Sequence, residues 1–254
     1  MAAEFVSGAF LTTLVSKKEL GPGIVDLVFA LKLPERLPFR AGQFVSLAVG
    51  RDRAGLEVRR SFSIASSALE ADALRFIVRL VPDGPASTFL TTLPIGAEVP
   101  MTGPYGFFVL EKEHPGEVIF GATGTGVAAI LPMLAELASR QPRQPTEGRD
   151  RREGGPRLLY WGARRAEDLI ARPEVEALCA RAGTTLHLCL TLPPPDWTGI
   201  RGRITPAILE AFVGWKAPTF YLVGNGAMIA ELKRELVKHG VDRKKLIRTE
   251  AFFD

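Results

Sequence analysis

Residues 59–67 read Arg-Arg-Ser-Phe-Ser-Ile-Ala-Ser-Ser, which crowds cations, a flat ring and hydroxyls into one short alternating stretch. On a β-strand, Arg60 and Phe62 share one face while Ser61 and Ser63 share the other. A guanidinium forks onto phosphate oxygens. An aromatic ring stacks on another flat ring, and a hydroxyl can pair with the nitrogen and oxygen atoms at its edge. A ligand with an anionic diphosphate and a flat heteroaromatic ring, such as a flavin dinucleotide, suits all three. The plainer reading, a barrel strand with an exposed Arg60 and a core Phe62, stays open on this stretch alone. Backbone twist would have to bring Ser63 to the ring edge. Farther on, "VPDGPAS" at 81–87 places Gly84, Ala86 and Ser87 on a turn that opens a short helix. Free N–H groups at such a start suit phosphate.

A second set of residues has the same taste for diphosphate. "GATGTGV" at 121–127 follows an apolar run and opens a helical pattern. Gly124 and Gly126 permit close backbone approach, and the helix start favours an anion. Thr123 and Thr125 add hydroxyls. A glycine-rich turn also serves any tight strand-to-helix connection, so its weight comes from its setting. "VGNGAM" at 223–228 has a comparable setting, after one apolar run and before a helix pattern.

Two kinds of element must position these groups. Residues 1–112 read as short strands ("FVSGAFLTTLVSKKEL", "GIVDLVFAL", "GQFVSLAV", "RSFSIAS", "LRFIVRLV", "AEVPMTGPYG") separated by Gly, Pro and Asp. That rhythm predicts an antiparallel β-barrel, with "STFLTTL" at 87–93 as its one short helix. Residues 113–254 alternate strand and helix patterns: "GEVIFGAT", "GVAAILPMLAELASR", "RLLYWGA", "RPEVEALCARAG", "TLHLCLTL", "TPAILEAFV", "TFYLVGN", "AMIAELKRELVKHG". Alternation of this kind predicts an α/β unit on a parallel sheet. The join falls in 111–117, and "GPYGFF" at 103–108 is a turn just before it. The polar segment 139–156 reads as a loop.

Composition narrows the function. The chain has 254 residues, a net charge of +4 and two cysteines, Cys179 and Cys189. Two cysteines cannot form a disulfide framework and suit a reducing compartment. They also fall short of the four thiolates of a plant-type iron–sulfur cluster. His114, His187 and His239 are scattered, so no metal site is expected. No basic run interleaves with aromatics, which argues against nucleic acid. No apolar stretch approaches the roughly 20 residues of a membrane span, and no signal peptide is visible, so a cytoplasmic location is expected. The sequence pI of about 9.2 would help dock an acidic partner.

The order R-S-F-S at 60–63, V-P-D-G-x-x-S at 81–87 and G-P-x-G-F-F at 103–108, followed by the glycine-rich turn, resembles the ferredoxin–NADP reductase superfamily along nearly the whole chain. The likeness is to its bacterial type, which lacks a fused iron–sulfur domain. It implies an FAD-binding barrel followed by an NAD(P)-binding α/β domain. By this resemblance, Arg60 binds the FAD diphosphate, Phe62 packs on the isoalloxazine, and Ser63 bonds near its N5, with Ser61 in the same motif. Ile77, Val78, Arg79 and Leu80 line the flavin, while Gly84, Pro85, Ala86 and Ser87 form its phosphate turn. Thr123, Gly124, Thr125 and Gly126 hold the nicotinamide nucleotide, Thr125 lying close to the flavin too. Gly224, Asn225 and Met228 match the family's later motif, but Val223 replaces its cysteine and Gly226 its proline. Arg164 and Arg203 match arginines that favour NADP(H), although a third is missing from "TLPPPDW", and NAD(H) stays allowed. Read by themselves, these arginines are also ordinary solvated loop residues. The terminal "EAFFD" supplies Glu250, Phe252 and Phe253, the last an aromatic that would gate the ring.

The implied activity is hydride exchange between NAD(P)H and FAD, with single electrons passed to a separate ferredoxin or flavodoxin. Ser63, Glu250 and Phe253 are the catalytic candidates. Two alternatives remain: an NADH-oxidising reductase subunit of an oxygenase or hydrogenase-like complex, and a non-catalytic interaction module. The presence of Arg60, Phe62, Ser63 and Ser87 together argues against the module.

Overall fold

The structure, a computed structural model, describes residues 7–111, 117–140 and 155–253, with the backbone alone at Phe253. The join expected between 112 and 113, His114, most of segment 139–156 and the Phe253 side chain lie outside the described residues. The chain divides into two compact units, one ending at Val109 and one beginning at Leu110.

In the first unit, β1 (Gly8–Gly21), β2 (Ile24–Leu33), β3 (Phe44–Arg51), β4 (Glu57–Ser63), β5 (Ala73–Arg79) and β6 (Glu98–Tyr105) form one antiparallel sheet, ordered β4-β3-β6-β1-β2-β5. The period of a half-buried strand is plain on β3, where buried Val45, Leu47 and Val49 alternate with half-buried Ser46 and Ala48. These side chains meet Leu14, Phe29, Ile64, Leu74, Phe76 and Met101 in one core. The outer strands meet as well. Past β4, the Ala65 N–H donates to the Arg75 carbonyl at 2.8 Å. Ser66 Oγ accepts the Arg75 N–H and donates to the Ala73 carbonyl, each at 3.2 Å. This seam closes the sheet into the expected barrel and leaves β4 beside β5.

Helix α1 (Pro85–Thr92) follows β5. It starts earlier than the predicted 87–93 because Pro85 suits the first helical position, where its missing N–H is no loss. At its other end, Lys17 Nζ donates to the carbonyls of Leu90, Thr91 and Leu93 at 3.0, 2.8 and 2.7 Å.

In the second unit, β7 (Val118–Thr123), β8 (Arg157–Ala163), β9 (Thr185–Leu190), β10 (Ile200–Arg201), β11 (Thr219–Asn225) and β12 (Ile247–Phe253) form a parallel sheet ordered β10-β9-β8-β7-β11-β12. Helices α2 (Val127–Arg140), α3 (Arg172–Ala182), α4 (Ile204–Ala211), α5 (Gly226–Lys238) and α6 (Arg243–Leu246) connect the strands. The central strands are apolar throughout, as a sheet covered on both faces requires; Phe120, Trp161, Phe220 and Tyr221 are all fully buried. Helix α2 runs on through Pro132, anchored by buried Ile130, Leu131, Met133, Leu134 and Leu137. Strand order reverses between β7 and β11, so the two strands flank the switch point at which such sheets bind ligands, beyond the strands' carboxyl ends.

Three elements go beyond the sequence expectations: β10, α6 and β12. The last matters most. The terminal residues are an edge strand, with Leu222 paired to Thr249, Val223 to Glu250 and Gly224 to Ala251.

Candidate functional site

Each unit carries one cluster of the expected residues. In the first unit the seam brings Arg60–Ser63 on β4 beside β5, which ends in Ile77, Val78 and Arg79. The two arginines of the motif have separate tasks. Arg59 braces three strands: Nε donates to Ser46 Oγ (3.1 Å), Nη2 to the Ser46 carbonyl (2.7 Å) and Thr102 Oγ1 (3.0 Å), and Nη1 to Glu57 (2.7 Å). Arg60 is exposed, donates to the Arg59 carbonyl at 2.8 Å, and has no carboxylate partner among the described residues. Phe62 is half-buried, pairs with Val45 across the strands and packs at 6.2 Å on Phe76. Ser61 is exposed and Ser63 half-buried. Ile77 is buried, and Val78, Arg79 and Leu80 are half-buried.

The turn after β5 is shaped for an anion. Ser87 Oγ accepts the Val81 N–H at 2.7 Å, and Gly84 caps α1 without a side-chain bond. The first helical donor is the Thr88 N–H, bonded to the Gly84 carbonyl at 2.9 Å. The Ala86 and Ser87 amides precede it and have no helical acceptor. A Cβ on Gly84 would meet the Val81 carbonyl oxygen at 3.1 Å, so the turn is compact as well as uncapped. A guanidinium without a carboxylate, an uncapped helix start and a half-buried ring fit a flavin dinucleotide.

In the second unit, Thr123 ends β7 and Gly124–Gly126 form a 3-10 turn before α2. Gly124 has φ +53°, and a Cβ there would meet nothing within 4 Å, so its backbone faces open space. At neighbouring positions the packing is as tight as backbone allows. A Cβ on Gly126 would lie 3.0 Å from Gly224 Cα, and one on Gly224 (φ +120°) would lie 2.2 Å from Thr123 Oγ1. Thr123 Oγ1 accepts the Asn225 N–H at 2.9 Å, which ties the ends of β7 and β11 together at the switch point. Asn225 Oδ1 caps α5 by accepting the Met228 N–H at 2.9 Å. An open glycine turn between two locked strand ends fits a dinucleotide diphosphate.

Not every candidate faces open space. Thr125 is 3% exposed, and Met228, at 4%, packs in the core with Ile229 and Leu232. Val223 is fully buried. Arg164 follows β8 directly and is exposed, with no carboxylate partner among the described residues. Arg203 precedes α4 and pairs with Glu231 of α5, Nη2 to Oε2, at 2.5 Å. Glu250 and Phe252 are half-buried on β12. One residue of the site escaped the sequence reading. Buried Trp161 donates its indole N–H to the Gly124 carbonyl at 3.0 Å and so fixes the glycine turn. A signal was present, since a buried tryptophan needs an acceptor, but nothing in "RLLYWGA" named one.

Burial pushes both cysteine thiols up to about 12, so neither serves as a nucleophile near neutral pH. Among the described residues no group of acids, histidines and cysteines could hold a metal ion. No helix there is long and apolar enough to cross a membrane.

Comparison with known proteins follows the same division. The oxidoreductase FAD-binding domain family matches residues 11–110, and the oxidoreductase NAD-binding domain family matches residues 120–234. Ferredoxin--NADP reductase B of Sorangium cellulosum (strain So ce56) is 32% identical over 247 residues, covering 92% of this chain and 94% of that protein. The phenol 2-monooxygenase reductase component DmpP of Pseudomonas sp. (strain CF600) is 32% identical over 216 residues; the match covers 83% of this chain but only 56% of DmpP. Among solved structures, the Amycolatopsis cytochrome P450 reductase GcoB superposes with a TM-score of 0.81 at 26% identity, over 98% of this chain and 71% of that one. Barrel, parallel sheet and both family matches agree along the length of the chain, which therefore belongs to the ferredoxin–NADP reductase superfamily and is a flavin oxidoreductase that binds FAD and NAD(P).

Proposed function

We propose that the chain is a ferredoxin or flavodoxin–NADP(H) reductase: it exchanges hydride between NAD(P)H and FAD and passes electrons singly to a separate acidic carrier. The observation that carries this reading is the pair of anion-receptive ends, one per unit: Arg60 with the uncapped α1 start, and the open Gly124 turn. The 32% identity to a ferredoxin--NADP reductase across 94% of its length supports the choice of partner.

Bound flavin supplies the chemistry, because it accepts a hydride and releases electrons one at a time. The residues of this chain bind and orient. Arg60 and the Ala86 and Ser87 amides hold the FAD diphosphate, while Phe62 and the end of β5 pack the ring. The Ser63 hydroxyl holds a hydrogen bond at the ring edge. The Gly124 turn holds the second diphosphate, with Thr123 and Asn225 keeping its strands in register. Glu250 stands beside Val223 in the β11–β12 register and would assist proton traffic. A cytoplasmic location belongs to the same proposal and agrees with two free, buried cysteines.

A second reading is favoured by DmpP, whose name makes it the reductase component of an oxygenase. This chain would then serve a fixed partner with NADH as donor. Stable co-purification with an oxygenase component would favour that reading. The test of the main proposal is an absorbance spectrum, followed by anaerobic titration with NADPH and then NADH. Flavin bands that bleach with nucleotide, followed by reduction of an added ferredoxin, are expected. A folded protein that stays colourless with added FAD would defeat the proposal.

A further inference from the structure

We infer that Glu231 sets the nucleotide preference of the second unit: by engaging Arg203 it weakens the grip on a 2′-phosphate, so that the chain takes NADH and NADPH with little discrimination. This rests on the proposed nucleotide-binding role of the second unit. Three observations on one edge of the sheet carry it.

The first is position. In a βαβ nucleotide unit, the end of the strand after the glycine turn is where a carboxylate meets a ribose hydroxyl or an arginine meets a 2′-phosphate. Here that strand is β8, and Arg164 follows it at once. The start of α4 packs on the same strand end, since a Cβ on Gly162 would lie 2.7 Å from Ile204 Cγ2. Arg203, one residue before Ile204, therefore stands at this edge too.

The second is engagement. Arg203 Nη2 lies 2.5 Å from Glu231 Oε2, with side chains 55% and 30% exposed. A 2′-phosphate gripped by Arg203 would have to share the guanidinium with a carboxylate of its own sign. A 2′-hydroxyl meets no such conflict, because a carboxylate accepts its hydrogen bond.

The third is that the neighbouring Arg201 is engaged as well, which leaves Arg164 without its help. Arg201 ends β10, but its Nη2 is turned onto the carbonyls of Pro194, Pro195 and Trp197 at 3.1, 2.7 and 3.2 Å. The Trp197 indole donates to the Ile200 carbonyl at 3.2 Å, which locks the same loop. Of Arg164, Arg201 and Arg203, Arg164 alone lacks an engagement among the described residues.

The test is calorimetric titration of the full chain, supplied with FAD, using adenosine 2′,5′-bisphosphate and 5′-AMP. Wild type should prefer the bisphosphate by no more than about tenfold, the scale of one weakened surface charge contact. Glu231→Gln should tighten the bisphosphate roughly tenfold, the effect of removing one like charge a few ångströms away, and leave 5′-AMP unchanged. Glu231→Ala should act in the same direction, and adding Arg203→Met to Glu231→Gln should cancel the gain. A bisphosphate-to-AMP ratio unmoved in both Glu231 variants overturns the inference, as does a wild-type preference above about a hundredfold. Binding of neither nucleotide by folded wild type removes the nucleotide-site reading itself, and this inference with it.

Discussion

Two adjacent arginines show how far residue type alone can be trusted. Arg59 spends its guanidinium on Ser46, Thr102 and Glu57, whereas Arg60 donates to one backbone carbonyl. Arg60→Met should raise the FAD dissociation constant roughly tenfold to a hundredfold, the value of a charge-assisted contact, and leave the melting temperature of the apoprotein unchanged. Arg59→Met should do the reverse, costing the apoprotein about 1–2 kcal/mol. Equal behaviour of the two variants in paired FAD titrations and thermal melts would refute the division of labour. Trp161 makes a related case one step from the proposed nucleotide site, as a positioning residue whose indole holds the Gly124 carbonyl. Trp161→Phe keeps most of the packing and loses the donor. The expected result is an NADPH KM raised about fivefold, equivalent to one ordinary hydrogen bond, with kcat and FAD affinity near wild type. A variant with unchanged KM and a lower melting temperature would show the tryptophan to be filler only.

At the scale of elements, α1 gains much of its definition from one lysine. Its first turn is the proposed diphosphate-binding end of the FAD unit, and its last carbonyls are gathered by Lys17 from β1. A cation at a helix C-terminus satisfies orphan carbonyls and opposes the helix dipole. Lys17→Met should therefore cost the barrel about 1 kcal/mol and also weaken FAD binding, because a frayed α1 no longer fixes its own start. Loss of stability with FAD affinity intact would mean that the two ends of this short helix are independent. Such elements were legible in the sequence wherever burial wrote a period into it. Val45, Leu47 and Val49 announce a strand, and the apolar runs of β7, β8 and β11 announce a covered parallel sheet. Strand β12 was not legible, because Arg248 and Glu250 break the apolar run that a buried strand would show. It pairs along one edge only, and its register comes from β11. Strand β10, with two residues, is too short for any period. The glycine turn and the arginine–serine motif were legible because chemistry and backbone conformation demand particular residue types there. The Arg203–Glu231 pair joins residues 28 apart across two helices, and no local pattern encodes a contact made by packing.

For the whole molecule the governing quantity is charge. A net charge of +4 on 254 residues is modest, but it would act over distance on the proposed acidic carrier before any contact forms. A run of three cations, Arg243, Lys244 and Lys245 on α6, precedes β12 and so sits at the amino edge of the parallel sheet, while Gly124 and Asn225 sit at its carboxyl edge. Steering by this field is therefore separable from nucleotide binding. The second-order rate for reduction of an acidic ferredoxin should fall about tenfold or more between roughly 0.05 and 0.5 M salt, as the Debye length shrinks from over 10 Å toward a few ångströms. Reduction of an uncharged quinone by the same enzyme should stay level over that range, which rules out a salt effect on NADPH binding or on flavin retention. Neutralising Arg243, Lys244 and Lys245 to Gln should flatten the ferredoxin slope in part and leave the quinone rate alone. A ferredoxin rate indifferent to salt would break the link between the basic field and an acidic carrier, and the fixed-partner reading would gain what the carrier reading lost.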